Sequence, residues 1–97
     1  MGCTLEHPNL WDVSLITDMS HLFQKDGLKD FNENISNWNV SNVTNMEEMF
    51  CHSKAFNQPI DKWDVSNVTD MNSMFYEAKS FKQTLPDEWK KKRNKLF

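Results

Sequence analysis

The sequence predicts an α/β repeat solenoid, each repeat giving a short parallel strand and a short helix or 3-10 turn. Three observations predict it. The segment from Trp38 to Lys62 matches that from Trp63 to Asp87 at about half its positions, and an earlier copy opens at Trp11. The internal period of 25 residues falls in the range of solenoids and arrays. Within each copy the apolar spacing changes from alternation to an i, i+3, i+4 pattern, as when a strand passes into a helical turn.

Residues 1–10 are expected to form an N-terminal cap or a truncated edge. The later copies carry an isoleucine three positions before their Trp (Ile35, Ile60), where the first copy has Pro8. The solenoid is then assigned to 11–85, as repeats 11–37, 38–62 and 63–85. The first copy is longer, and its extra residues fall beside Gly27, where a loop is expected.

Each repeat is read as opening on a strand. Trp11-Asp12-Val13, Trp38-Asn39-Val40 and Trp63-Asp64-Val65 alternate apolar, polar, apolar, so Trp and Val should point inward. Stacked coils would pair such strands in parallel at about 4.8 Å. Thr44 followed by Glu47 fits a capping box, and Met46, Met49 and Phe50 then share one face of a short helix. Such a short helix needs packing between coils to persist. The expected core is Trp11, Val13, Met19, Phe23, Trp38, Val40, Met46, Met49, Phe50, Phe56, Trp63, Val65, Met71, Met74, Phe75 and Phe81. Asn32 and Asn57 share the slot after the closing Phe, where stacked carboxamides can satisfy backbone groups of adjacent coils. Residues 86–97 are expected to form a C-terminal capping helix, with Thr84 as N-cap, acids in the first turn and basic residues later.

Charge is distributed unevenly. Fourteen acidic residues against six lysines leave residues 1–89 at −8, and five basic residues crowd the last eight positions. An acidic body disfavours nucleic acid, whose binding rests on neutralising phosphates. No apolar run is long enough to span a membrane, and residues 1–10 lack the pattern of a signal peptide.

Chemistry-bearing residues are sparse. Cys51-His52 occupies a slot held by Gln24-Lys25 and Tyr76-Glu77 in the other copies, and is read as a solvent-facing variable turn. Cys3 and His7 lack the further ligands a zinc site needs. Asp12 and Asp64 recur one per copy rather than clustering as calcium ligands do. The expectation is therefore no enzyme, no cofactor and no metal. The outward strand residues Asp12, Asn39 and Asp64, flanked by Asn37 and Lys62, are the candidate partner-binding set.

The unit W-[DN]-V-S-x-V-T-x-M-x-x-M-F, with its closing F-N-x-x-I, resembles the BspA-like, leucine-rich-repeat-related family of bacterial surface proteins and mycoplasma-type lipoproteins. WDVSNVTDMNSMF (63–75) and FNQPI (56–60) carry the match. The resemblance implies a right-handed leucine-rich-repeat-like coil and a cell-surface or secreted location; with no signal peptide in the chain, a cytoplasmic one stays open. It also implies adhesion-type binding to host or neighbouring-cell surface proteins. A structural role, with copies self-associating through the ends of the coil, is the alternative.

Overall fold

A computed structural model describes residues 8–24, 27–92 and 94–97. The chain is built almost wholly of turns. Among the described residues its named elements are a 3-10 turn, Pro8–Leu10, and one short helix, α1 (Asp87–Lys90). Among the described residues there is no strand; parallel pairing is confined to isolated bridges, Asp18 to Asn45 and Asn45 to Asp70. The expected leucine-rich-repeat-like α/β solenoid, with a strand and a helix in each repeat, is thus overturned.

Local hydrogen bonding explains the difference. The expected strand at Trp38-Asn39-Val40 lies between two turns, closed by Trp38 N–H to the Ile35 carbonyl at 3.1 Å and Val43 N–H to the Val40 carbonyl at 2.9 Å. Asn39 Oδ1 accepts from Ser41 N–H and Oγ–H at 3.0 and 2.6 Å. This Asx turn competes with extended pairing. Asp12 and Asp64 close the same turn on Ser14 and Ser66.

The expected helical turn fails for a second reason. Met49 N–H bonds the Met46 carbonyl at 3.2 Å, but Glu48 has φ 54. His21 and Ser73 hold the same position in the other copies, with φ 59 and 57. A left-handed residue ends any run of helical turns. It also turns alternate N–H groups along the stack. Those of Met46, Glu48, Phe50 and His52 reach the carbonyls of Asp70, Asn72, Met74 and Tyr76 at 2.8–3.0 Å. Met19, His21 and Phe23 donate likewise to Asn45, Glu47 and Met49. The capping box is absent: Thr44 donates both N–H and Oγ1–H to the Thr17 carbonyl, and Glu47 N–H goes to Asn45 Oδ1.

Copies that share this ladder also align their aromatic rings. Trp11, Trp38, Trp63 and Trp89 form one column, with centroids 6.2–6.5 Å apart. A second contains Phe23, Phe50, Phe75 and Phe97, and a third Phe31, Phe56 and Phe81. Valines and methionines fill the space between them: Val13, Met19, Val40, Met46, Met49, Val65, Met71 and Met74 are all buried. Trp11, expected in the core, is 46 % exposed because only one side of its ring has a described neighbour in the column.

On another face, carboxamides tie the copies together. Asn32 Oδ1 accepts from Asn57 N–H at 2.8 Å, and Asn57 Oδ1 from Lys82 N–H at 2.9 Å. Gln58 and Gln83 add second bonds to the same two residues.

Helix α1 covers only Asp87–Lys90, although a helix is expected through 97. Its N-cap is Pro86, without a side-chain cap, where Thr84 is expected. Beyond α1 the tail supplies acceptors. Ser73 and Phe75 donate to the Lys95 and Leu96 carbonyls at 2.7 Å, and Met71 N–H reaches Asn94 Oδ1 at 3.2 Å. Of the expected cap over 1–10, Pro8–Leu10 is the described part; Cys3 and His7 lie outside the described residues.

Candidate functional site

Three surface features deserve comparison: the Asx row, a lysine row and an apolar end. The Asx row is the one expected to bind a partner. Asp12, Asn39 and Asp64 are exposed in successive copies, beside exposed Asn37 and Lys62. Their oxygens are engaged in the turns described above, so the recurrence of Asp or Asn there has a structural cause. Hydrogen bonds from the Ser14 and Ser66 side chains and N–H groups hold the Asp12 and Asp64 carboxyls below the usual range. Both stay charged while closing their turns. Asn37 N–H donates to Asn9 Oδ1 at 2.6 Å.

The lysine row was not among the expected sites. Lys29, Lys54 and Lys79 each stand two residues before a closing Phe (Phe31, Phe56, Phe81). The fold brings all three, with His52 and Glu77, around one recess of about 190 Å³. Lys79 Nζ lies 3.9 Å from Glu77 Oε1, with the two side chains 75 % and 46 % exposed. His52 meets Tyr76 edge-on at 5.6 Å. The signal of this row in the sequence is K-x-F at the repeat interval, which buried periodicity does not include.

The apolar end lies on the first copy. Leu10, Trp11, Leu15 and Ile16 are 66 %, 46 %, 88 % and 40 % exposed. Leu15 occupies the slot of Asn42 and Asn67, whose Nδ2 groups donate to the Ser14 and Ser41 carbonyls of the preceding copies at 2.8 and 2.7 Å.

Cys51 departs from its expected position in a solvent-facing turn. It is buried at 3 % exposure, and burial, together with the negative charges of Glu48 and Glu77, pushes its thiol up to about 11. A thiol so disposed is a poor nucleophile at neutral pH. The neighbouring His52 is exposed, so the pair points in different directions. His21 is also exposed, 3.8–3.9 Å from Glu47 and Glu48. Among the described residues, no three His, Cys, Asp or Glu side chains are grouped to hold a metal, and no helix is long and apolar enough to cross a membrane.

The chain belongs to the family described as Mycoplasma protein of unknown function, DUF285, which is related to BspA-like repeats; the match covers residues 3–96. No curated protein and no solved structure matches it.

Proposed function

We propose that this DUF285 protein is a non-enzymatic protein–protein interaction module of the BspA-like surface-repeat type, displayed at a bacterial cell surface for adhesion. The observation that supports the reading is the registered polar row: Asp12, Asn39 and Asp64, exposed once per copy and held by identical turns. A partner meets these groups already ordered, so little side-chain entropy is lost when they are contacted. Many weak polar contacts spread over successive copies are how stacked-repeat surfaces recognise proteins. The partner class is a host or neighbouring-cell surface protein.

The test is capture of surface and matrix proteins by the folded chain, with Trp63→Ala as the unfolded control. Asp64→Asn keeps an oxygen for Ser66 while removing a charge, and Lys62→Glu reverses one. A fold-dependent partner weakened by both supports the reading. A partner indifferent to both places recognition elsewhere.

The apolar first copy favours a second reading, self-assembly through that end. At the other end Trp89 and Leu96 are buried over the last copy, with Phe97 stacked on Phe75, so contact between two first copies would close at a dimer rather than extend. Leu15→Asn, which restores the residue of the other copies, should then abolish any concentration-dependent rise in sedimentation mass.

A further inference from the structure

We infer that the recess lined by Lys29, Lys54 and Lys79 binds a compact polyvalent oxyanion of the phosphate class.

The argument begins with recurrence. At a buried slot, repetition at the period is accounted for by packing. These three lysines are exposed, so packing does not require them. Elsewhere on the surface, the exposed residues Thr17, Thr44 and Thr69 recur unchanged because they are hydrogen-bonded from copy to copy, whereas the slot of exposed Lys62 holds Asn37 and Asp87. The lysine slot holds lysine in all three copies, and the fold converts that repetition into proximity around one opening.

Stacking places like charges side by side. Parallel backbones at single-bridge spacing are about 4.8 Å apart, and the aromatic columns repeat at 5.1–6.5 Å. Ammonium groups on neighbouring copies repel one another. Glu77 offsets one of them, reaching Lys79 at 3.9 Å. A multiply charged anion seated among the three would accept from several ammonium groups at once, in hydrogen bonds stronger than neutral ones.

Size and setting select the ligand. The recess, at about 190 Å³, is smaller than the roughly 300–1,000 Å³ of sites for drug-sized ligands. The net charge of −8 over residues 1–89 repels a long polyanion whose ends would run past the recess onto acidic surface. Lysine suits the role: it is a compact point charge on a flexible stem, and it binds phosphate groups in that way. A short, dense phosphate-type anion meets all these conditions.

Inorganic triphosphate is the probe, titrated into the full chain at low salt and followed by calorimetry and by backbone amide shifts. Saturable binding is expected, with shifts concentrated at Lys29, His52, Lys54, Glu77 and Lys79. Lys54→Gln should weaken it about tenfold, the effect of removing one charge-assisted hydrogen bond. Glu77→Gln should strengthen it, and Lys90→Gln, outside the recess, should leave it unchanged. The substituted side chains are all exposed, and matching thermal melts establish that each variant is folded. Vesicles of phosphatidylglycerol, whose headgroup carries a single charge, separate a free anion from a membrane surface. Absence of saturable binding, equal weakening by Lys90→Gln and Lys54→Gln, or binding to the vesicles alone would overturn the proposal.

Discussion

Trp89 stacks on Trp63 with ring centroids 6.5 Å apart, extending the tryptophan column beyond the last repeat. Trp63 follows Trp38 by 25 residues and Trp89 follows Trp63 by 26, and Trp63 and Trp89 close the same turn, each N–H reaching the carbonyl three residues before (Ile60, Pro86) at 3.1 Å. The tail thus covers the final copy with the ring that a further copy would have provided. It does so while also supplying the acceptors for Met71, Ser73 and Phe75.

Trp63 and Trp11 should therefore differ in their contributions to stability. Trp63, 4 % exposed and between two rings, should cost about 3–5 kcal/mol on replacement by Ala. Trp11, 46 % exposed, should cost about half as much by buried area. Denaturant unfolding of the two variants measures the difference.

Asn57→Ala leaves the Lys82 N–H and Gln83 Nε2 without their Oδ1 acceptor. The expected loss is about 1–2 kcal/mol. Hydrogen exchange at Lys82 should accelerate by more than exchange at the amides of the ladder. Uniform acceleration would mean that the carboxamide acts on the whole fold rather than on its own junction.

Ser73 is held at φ 57, a conformation that costs an L-residue about 1 kcal/mol and glycine little. Ser73→Gly should raise the melting temperature, with a gain of about 0.5–1 kcal/mol. Ser73→Ala, which keeps the strain, should give no gain. The same pair of substitutions at Glu48 should move in the same direction.

The Cys51 thiol gives a signed pH dependence. Its value rises from an ordinary 9.0 to about 11 in the folded chain. The unfolded chain therefore loses the proton first as pH rises. The thiol's contribution is fully present below about pH 9 and is lost as pH climbs toward about 11. Alkaline melts should show this loss, and Cys51→Ala should flatten it. At pH 7, thiol labelling should track global unfolding.

Acid acts with the opposite sign. The carboxyls of Asp12, Asp18 and Asp64 are each lowered from 3.8 by serine hydrogen bonds. Their contribution is complete above that ordinary value and is lost as pH falls through the lowered folded values. Replacing all three with Asn, which retains the Oδ1 acceptor, should flatten the stability profile below pH about 4.

Legibility in the sequence followed burial. Trp38, Val40, Met46, Met49, Phe50, Phe56, Trp63, Val65, Met71, Met74, Phe75 and Phe81 stand at repeat-spaced positions and are buried, since apolar recurrence reports directly on what must leave water. Backbone conformation was less legible. The i, i+3, i+4 spacing of Met46, Met49 and Phe50 suits a helix, yet it equally suits successive turns broken by a left-handed Glu48. Nothing in a glutamate side chain announces φ 54. The W-x-V alternation likewise said nothing of the Asx turn that closes over Ser41. For the candidate site, exposure of Asp12, Asn39 and Asp64 was readable, but their local hydrogen bonds were not. The lysine row required knowing which turns lie side by side.

The ladder through Met46, Glu48, Phe50 and His52 runs one way, each amide pointing to the following copy. An interior copy accepts from the unit before it and donates to the unit after it, the same backbone pattern at each junction. The first copy here carries Leu15 where the others carry asparagine, and the last is followed by the Trp89-bearing tail, so the junction between copies depends on neither. Array length is therefore uncoupled from the ends. Duplicating one whole unit in the gene would lengthen the protein without requiring any new contact to be invented, giving it a route to vary the breadth of its surface by recombination alone.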